Sequence, residues 1–118
     1  KVKDNFFEGI YDLNEKGIDN PLLLDEVGID IKQVEMIDEA SGRTLEIYTT
    51  YPCVVCYTHN HINEKRLLFD KEHVRHMGIC FEMQYEPNDI NVEGLYDSIL
   101  RKGEEYNQTI IFTFGIKE

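Results

Sequence analysis

Tryptophan is absent from this chain and basic residues are few, with 12 lysines and arginines against 23 aspartates and glutamates and a formal net charge of −11. A surface of that sign repels phosphate backbones and anionic lipid headgroups. No apolar run approaches the roughly 18 residues that a membrane-spanning helix needs, and the start of the chain lacks the apolar stretch of a signal peptide. These absences predict a soluble, cytoplasmic protein with no nucleic-acid and no membrane partner.

Cysteines are also few and odd in number: Cys53, Cys56 and Cys80. An odd number without a signal peptide fits free thiols in a reducing compartment better than a disulfide framework. The spacing Cys53-Val54-Val55-Cys56, with histidines shortly after, is also found in zinc and redox sites. In a strand, however, residues three apart point to opposite faces, so both sulfurs could not reach one metal ion. We therefore expect no zinc here and no disulfide between Cys53 and Cys56.

Helical periodicity is scarce too, because most apolar residues alternate at period two. This predicts an all-β fold of mostly antiparallel strands with long loops. Alternation runs through residues 29–36 with a change of phase near Gln33, which is typical of a β-bulge. The sequence Ser41-Gly42-Arg43 supplies turn chemistry before the β-branched run 44–50, so a hairpin is expected.

Three more strands are predicted, over residues 53–58, 78–85 and 109–114. Between residues 88 and 103, turn formers and an irregular apolar pattern predict a long loop with room for one helical turn. The length of 118 residues suits one globular domain, and no repeat or linker indicates a second. Residues 1–118 are therefore interpreted as part of a single domain.

The predicted strand over residues 78–85 carries an acid at its centre. Alternation places Cys80, Glu82 and Gln84 on one face and four apolar side chains on the other. Glu82 and Gln84 could simply point into water from a half-exposed sheet, which the pattern alone favours. Alternatively, the polar face lines a cleft in which Glu82 is a positioned base with Gln84 beside it. Periodicity leaves both interpretations open.

Four segments, in order, resemble the signature motifs of the galactose mutarotase-like aldose 1-epimerases. Together they cover nearly everything from Gly17 to Phe114, and their shared order makes the resemblance specific. The segments are Gly17-Ile18-Asp19-Asn20 with the strand after it, Ser41-Gly42-Arg43 with residues 45–52, the strand 78–85 with Glu82-Met83-Gln84 and the following Pro87-Asn88, and Leu100-Arg101-Lys102-Gly103-Glu104-Glu105-Tyr106 with residues 109–114.

The resemblance implies part of a β-supersandwich fold, a neutral pyranose substrate, and neither a metal nor an organic cofactor. It implies that Glu82 takes the proton from the anomeric hydroxyl while a histidine protonates the ring oxygen, so that the ring opens and closes as the other anomer. Such acid–base help contributes roughly a hundred- to ten-thousandfold per group. Asp19 matches the family aspartate that binds sugar hydroxyls, although locally it could be a turn former. Gln84 would orient Glu82 or face the sugar.

Some positions depart from the family pattern. Asn20, Asn88 and Lys102 stand where many members have histidine, aspartate and proline, which leaves loop shape and sugar preference open. The family's histidine acid belongs to an N-terminal portion that this chain does not contain, and none of the four histidines lies in a matching segment. His59 and His61 are expected to share a strand face that could line the cleft. The other two, in a charged loop, are expected to be solvated.

The sequence therefore predicts an aldose 1-epimerase (mutarotase, an isomerase) acting on a neutral aldohexose, with this chain supplying the base but not the acid. The chain opens without a methionine, which together with the resemblance indicates the C-terminal part of a longer protein, inactive when isolated. The expected partners are a monosaccharide, the N-terminal part and, through unpaired strand edges, further copies in a homo-oligomer. The alternative is a catalytically silent carbohydrate-binding or structural module of the same fold.

Overall fold

The computed structural model describes residues 17–62 and 72–117. Within these ranges the chain forms six strands: β1 (Asp19–Leu23), β2 (Val34–Ile37), β3 (Arg43–Thr49), β4 (Cys53–Tyr57), β5 (Cys80–Gln84) and β6 (Ile110–Ile116). A 3₁₀ turn over Asp89–Asn91 interrupts the loop between β5 and β6. The predicted all-β fold and the predicted helical turn in that loop are confirmed.

The strands form two three-stranded sheets, with the orders β1-β4-β5 and β2-β3-β6. In the second sheet both pairings are antiparallel. Residues group into two compact units, one containing residues 17–22, 55–62 and 72–82 and the other residues 23–54 and 83–117. No helix in these stretches has the length and apolarity to cross a bilayer.

The hairpin of β2 and β3 is present, but β2 begins at Val34, whereas the alternation predicts a strand from residue 29. Gly28 adopts a φ of 148°, and its carbonyl oxygen accepts a hydrogen bond of 3.3 Å from the Ile31 N–H. That turn takes residues 29–32 away from the sheet. The strand over residues 29–32 and the bulge at Gln33 are therefore wrong predictions.

Gln33 binds β3 through its backbone N–H, which donates to the Ile47 carbonyl at 3.1 Å, and also through its side-chain amide. Its Oε1 accepts a hydrogen bond from the Thr49 N–H at 2.8 Å, and its Nε2 donates to the Thr49 carbonyl at 3.2 Å and to the Gly28 carbonyl at 3.0 Å. An amide side chain carries a donor and an acceptor in the same geometry as a peptide group. Gln33 thereby replaces the ladder bonds that a longer β2 would have made.

The β2-β3-β6 sheet is apolar on one face, and that face is only partly covered. Ile47 is fully buried at the centre of β3, whereas Phe112, directly opposite it on β6, is 46% exposed. All seven residues of β6 are exposed, and Phe114 and Ile116 reach 76%. In the part of the chain that the structure describes, β6 is an uncovered edge strand.

Candidate functional site

Glu82 lies at the centre of β5, and burial alternates along this strand as the sequence predicts. Cys80 and Glu82 are exposed, whereas Phe81 is half-buried and Met83 is 8% exposed. Packing of the apolar face fixes the strand, and strand geometry then directs the Glu82 carboxylate to the opposite side. Gln84, half-buried, follows on the same side two residues later, about 7 Å along the strand.

Asp19 is the first residue of β1 and is exposed. Its alternative interpretation, a turn former, is wrong, because the chain is already extended there. The preceding residue, Ile18, is anchored from both sides: its N–H donates to the Thr58 Oγ1 at 2.7 Å, and its carbonyl accepts the Asn60 Nδ2 at 2.8 Å. The backbone that presents Asp19 is therefore held in place by buried hydrogen bonds.

Sheet order sets the lateral separation of the two strands that carry the predicted carboxylates. Asp19 lies on β1 and Glu82 on β5, the outer strands of the β1-β4-β5 sheet, with β4 between them. Adjacent strands are about 4.8 Å apart, so strands two apart are separated by roughly 10 Å. The two acids therefore lie on strands of the same sheet that are separated by one intervening strand.

Asn60 is a structural anchor that sequence reasoning missed. It is 2% exposed, and its Oδ1 accepts a hydrogen bond of 2.7 Å from the Thr58 hydroxyl while its Nδ2 binds the Ile18 carbonyl. A Cβ atom added to Gly17 would lie 1.8 Å from that Oδ1. Gly17, which the family motif singles out, is therefore needed so that Asn60 can approach the backbone before Asp19.

The two closely spaced cysteines lie on β4, as the strand interpretation predicts. Cys53 and Cys56 are both buried, and Cys80 is exposed; none of the three forms a disulfide bond. Burial, with a smaller contribution from Cys80, raises the pKa of the Cys56 thiol. A thiol that stays protonated is a poor metal ligand, because zinc binds the thiolate. Among the described residues, no three His, Cys, Asp or Glu side chains are grouped to hold a metal ion.

The histidines are not placed as predicted. β4 ends at Tyr57, so His59 and His61 do not share a strand face, and His59 turns the chain with a φ of 54°. Its ring meets that of His73, with 2.5 Å between the two Nε2 atoms. His76 Nδ1 lies 2.8 Å from the Thr58 carbonyl oxygen, so this ring is engaged rather than simply solvated. No local sequence pattern predicts these two contacts, because His59 and His73 are 14 residues apart and Thr58 and His76 are 18 residues apart.

Arg101 makes its contacts within its own loop. Its guanidinium pairs with Asp97 at 2.7 Å and reaches the Ile99 carbonyl at 3.3 Å. The same loop borders a cavity of about 210 Å³, lined by Tyr85 and residues 97–100 and 104–108. Glu82, Asp19 and Gln84 are not among its lining residues.

Comparison with known proteins supports the family resemblance of the sequence. Residues 2–113 match the family model described as aldose 1-epimerase. Galactose mutarotase of Mus musculus is 41% identical over 80 residues, 65% of this chain and 23% of the mouse protein. For the Homo sapiens protein the identity is 40%, with the same coverage, and for that of Sus scrofa it is 38% over 77 residues, 64% of this chain and 22% of the relative. The chain thus spans about a quarter of the length of these curated relatives, and it belongs to the aldose 1-epimerase family.

Proposed function

We propose that the protein containing this chain is a mutarotase that interconverts the α and β anomers of a neutral aldohexose. Family membership is one support. The observation that carries the proposal is the position of Glu82, which stands on the polar face of β5, opposite a face packed through Phe81 and Met83. A carboxylate on a rigid strand, accessible to a ligand and backed by packed side chains, suits a general base.

In the proposed reaction Glu82 accepts the proton of the anomeric hydroxyl. As the C1–O1 bond gains carbonyl character, the bond between C1 and the ring oxygen breaks, and the ring oxygen takes a proton from an acid. Rotation about C1–C2 presents the other carbonyl face, and reversal of both proton transfers closes the ring as the other anomer. The chain supplies the base; the acid, a histidine by family resemblance, comes from the N-terminal part of the protein.

Asp19 and Gln84 bind and orient in this proposal. β1 and β5 are roughly 10 Å apart with β4 between them, so a pyranose ring that contacts both Asp19 and Glu82 would lie across β4 on one face of the sheet. The Asp19 carboxylate accepts hydrogen bonds from sugar hydroxyls. Gln84, on the Glu82 side of β5, offers an amide that can bond either to Glu82 or to the sugar.

Replacing Asp19 by alanine in the whole protein should mainly raise KM, by roughly tenfold or more, since a hydrogen bond to a charged group contributes about 1.5–3 kcal/mol. Its hydroxyl contacts exist in both the ground and the transition state, so kcat should change little. Steady-state polarimetry measures both constants. Asp25→Ala, an exposed aspartate beyond β1, is the matched control. A large loss of kcat at unchanged KM would contradict the binding role.

A catalytically silent sugar-binding module is the second candidate, because the cavity bordered by residues 97–100 and 104–108 does not include Glu82. Polarimetry of freshly dissolved α-glucose or α-galactose separates the two. We expect the whole protein to accelerate the optical change, the 118-residue chain alone to give the uncatalysed rate, and a separately produced N-terminal part to restore activity when added. If the whole protein binds sugar in calorimetry without accelerating anomer exchange, the silent module is correct.

A further inference from the structure

The rings of His59 and His73 meet within the first compact unit, at residues that the proposed reaction does not use. Their Nε2 atoms are 2.5 Å apart, and the rings are tilted by 47° with centroids 4.7 Å apart. The ring planes are therefore not stacked; instead, one nitrogen of each ring is directed at the other. Two imidazole nitrogens that converge in this way are a pair of donors for a borderline divalent metal ion.

We propose that His59 and His73 bind a divalent transition-metal ion, of the Zn²⁺ or Ni²⁺ class, through their Nε2 atoms. Two zinc–nitrogen bonds of about 2.0–2.1 Å in tetrahedral geometry hold their nitrogens about 3.4 Å apart. The rings need to separate by only about 1 Å to admit the ion, a shift within the reach of side-chain rotation. The proposal departs from the sequence-based prediction of no metal, which rested on the spacing of Cys53 and Cys56 and on the family resemblance.

The backbone around His59 holds this ligand in position. His59 adopts a φ of 54°, its carbonyl accepts the His76 N–H at 3.0 Å, and it lies between Thr58 and Asn60, both buried. A ligand whose backbone is fixed by neighbouring hydrogen bonds loses less conformational entropy on binding. One half of the site is thus preorganised, and the ion would tie it to His73, fourteen residues along the chain.

The composition of the site predicts weak, exchangeable binding. Within residues 17–62 and 72–117, no third His, Cys, Asp or Glu completes a ligand group. The other coordination positions would hold water, as in open zinc sites. Such an ion is displaced by chelators without unfolding the protein. By binding the folded state, it raises the melting temperature.

The test is calorimetric titration of the metal-free whole protein with ZnCl₂ and NiCl₂, alongside melting curves with and without each metal. Binding at this pair should weaken at least about tenfold on loss of either imidazole. The variants are His59→Asn, since asparagine tolerates a positive φ, and His73→Gln. His61→Gln is the matched control, because this exposed ring stacks on Tyr57 and is not one of the two proposed ligands. It should leave the affinity within about twofold.

Several outcomes would overturn the proposal. One is the absence of saturable metal binding. Another is a loss of metal affinity in His61→Gln equal to that in the two histidine variants. A third is that His59→Asn and His73→Gln keep both the affinity and the metal-induced rise in melting temperature. Loss of binding in a Cys53→Ser, Cys56→Ser double variant, with both histidine variants unaffected, would assign the metal to the cysteines instead. Melting curves without metal identify a variant that fails to fold, and the second histidine variant then decides. None of these measurements uses mutarotase activity, so they test the metal site independently of the proposed function.

Discussion

Glu82→Gln in the whole protein is expected to lower kcat for mutarotation at least about a hundredfold. The amide keeps the shape of the side chain but cannot accept the proton of the anomeric hydroxyl at neutral pH. Because Glu82 is exposed on β5 and its strand is held by the opposite face, the free energy of unfolding should stay within about 0.5 kcal/mol of the unsubstituted protein. Polarimetry of a freshly dissolved pure anomer gives the rate, and urea denaturation gives the stability.

Glu93→Gln is the matched control for this experiment. Glu93 is an exposed glutamate in the loop after the 3₁₀ turn, and the same substitution there removes the same charge without touching the proposed site. We expect its rate to be unchanged. If Glu82→Gln stays within a few-fold of the unsubstituted protein, or if both variants lose activity equally, Glu82 is not the base.

Gly17→Ala is expected to lower the free energy of unfolding by about 2–3 kcal/mol, the cost typical of forcing an extra methyl group into a packed interior. The new Cβ would lie 1.8 Å from the Asn60 Oδ1 and 2.8 Å from the His76 Cε1. Asn60 cannot simply swing aside, because it is buried and bonded to Ile18 and Thr58. Chemical denaturation of the whole protein measures the loss, and KM for sugar should rise because Asp19 directly follows this anchored segment.

Gly78→Ala provides the control, since it is the same substitution in the same unit. A Cβ at Gly78 would find its nearest neighbour, the His59 Nδ1, at 3.8 Å, an ordinary van der Waals contact. Where the backbone suits alanine, such a change is neutral or stabilises by about 0.4–1 kcal/mol. Equal destabilisation by the two substitutions would show that backbone freedom, and not the close approach of Asn60, determines the requirement at Gly17.

The apolar pattern of the sequence predicts most of the strands. It finds β3, β4, β5 and β6 to within a few residues, because each is extended and at least partly apolar. It fails at residues 29–32, where the same period occurs in a turn closed by Gly28. It cannot show that Gln33 will bind β3 through its side chain, since that choice depends on Thr49, sixteen residues away.

For the candidate site, the sequence predicts the side of β5 that carries Glu82 and the extended segment that contains Asp19. Both predictions use only neighbouring residues, because a motif and a period of two are read from consecutive positions. The hydrogen bonds that hold the backbone before Asp19 are not predictable in this way. Asn60 reaches Ile18 across 42 residues, and His59 meets His73 only because the chain turns immediately after β4. Such contacts are properties of the folded topology, and their residue types, an asparagine and two histidines among polar neighbours, are ordinary for a solvated loop.

The exposed edge strand β6 has a further consequence for the chain before it is fully assembled. Residues 110–114 read Ile-Ile-Phe-Thr-Phe, without a charge or a proline, a composition typical of segments that stack into steric zippers. Glu104 and Glu105 before them and Lys117 after them are charges of the kind that discourage such stacking. In a newly made chain, the covering of β6 by the rest of the protein therefore competes with the pairing of β6 with another copy of the chain. Because pairing becomes more frequent as more chains are made, the yield of folded protein should fall as the rate of synthesis rises.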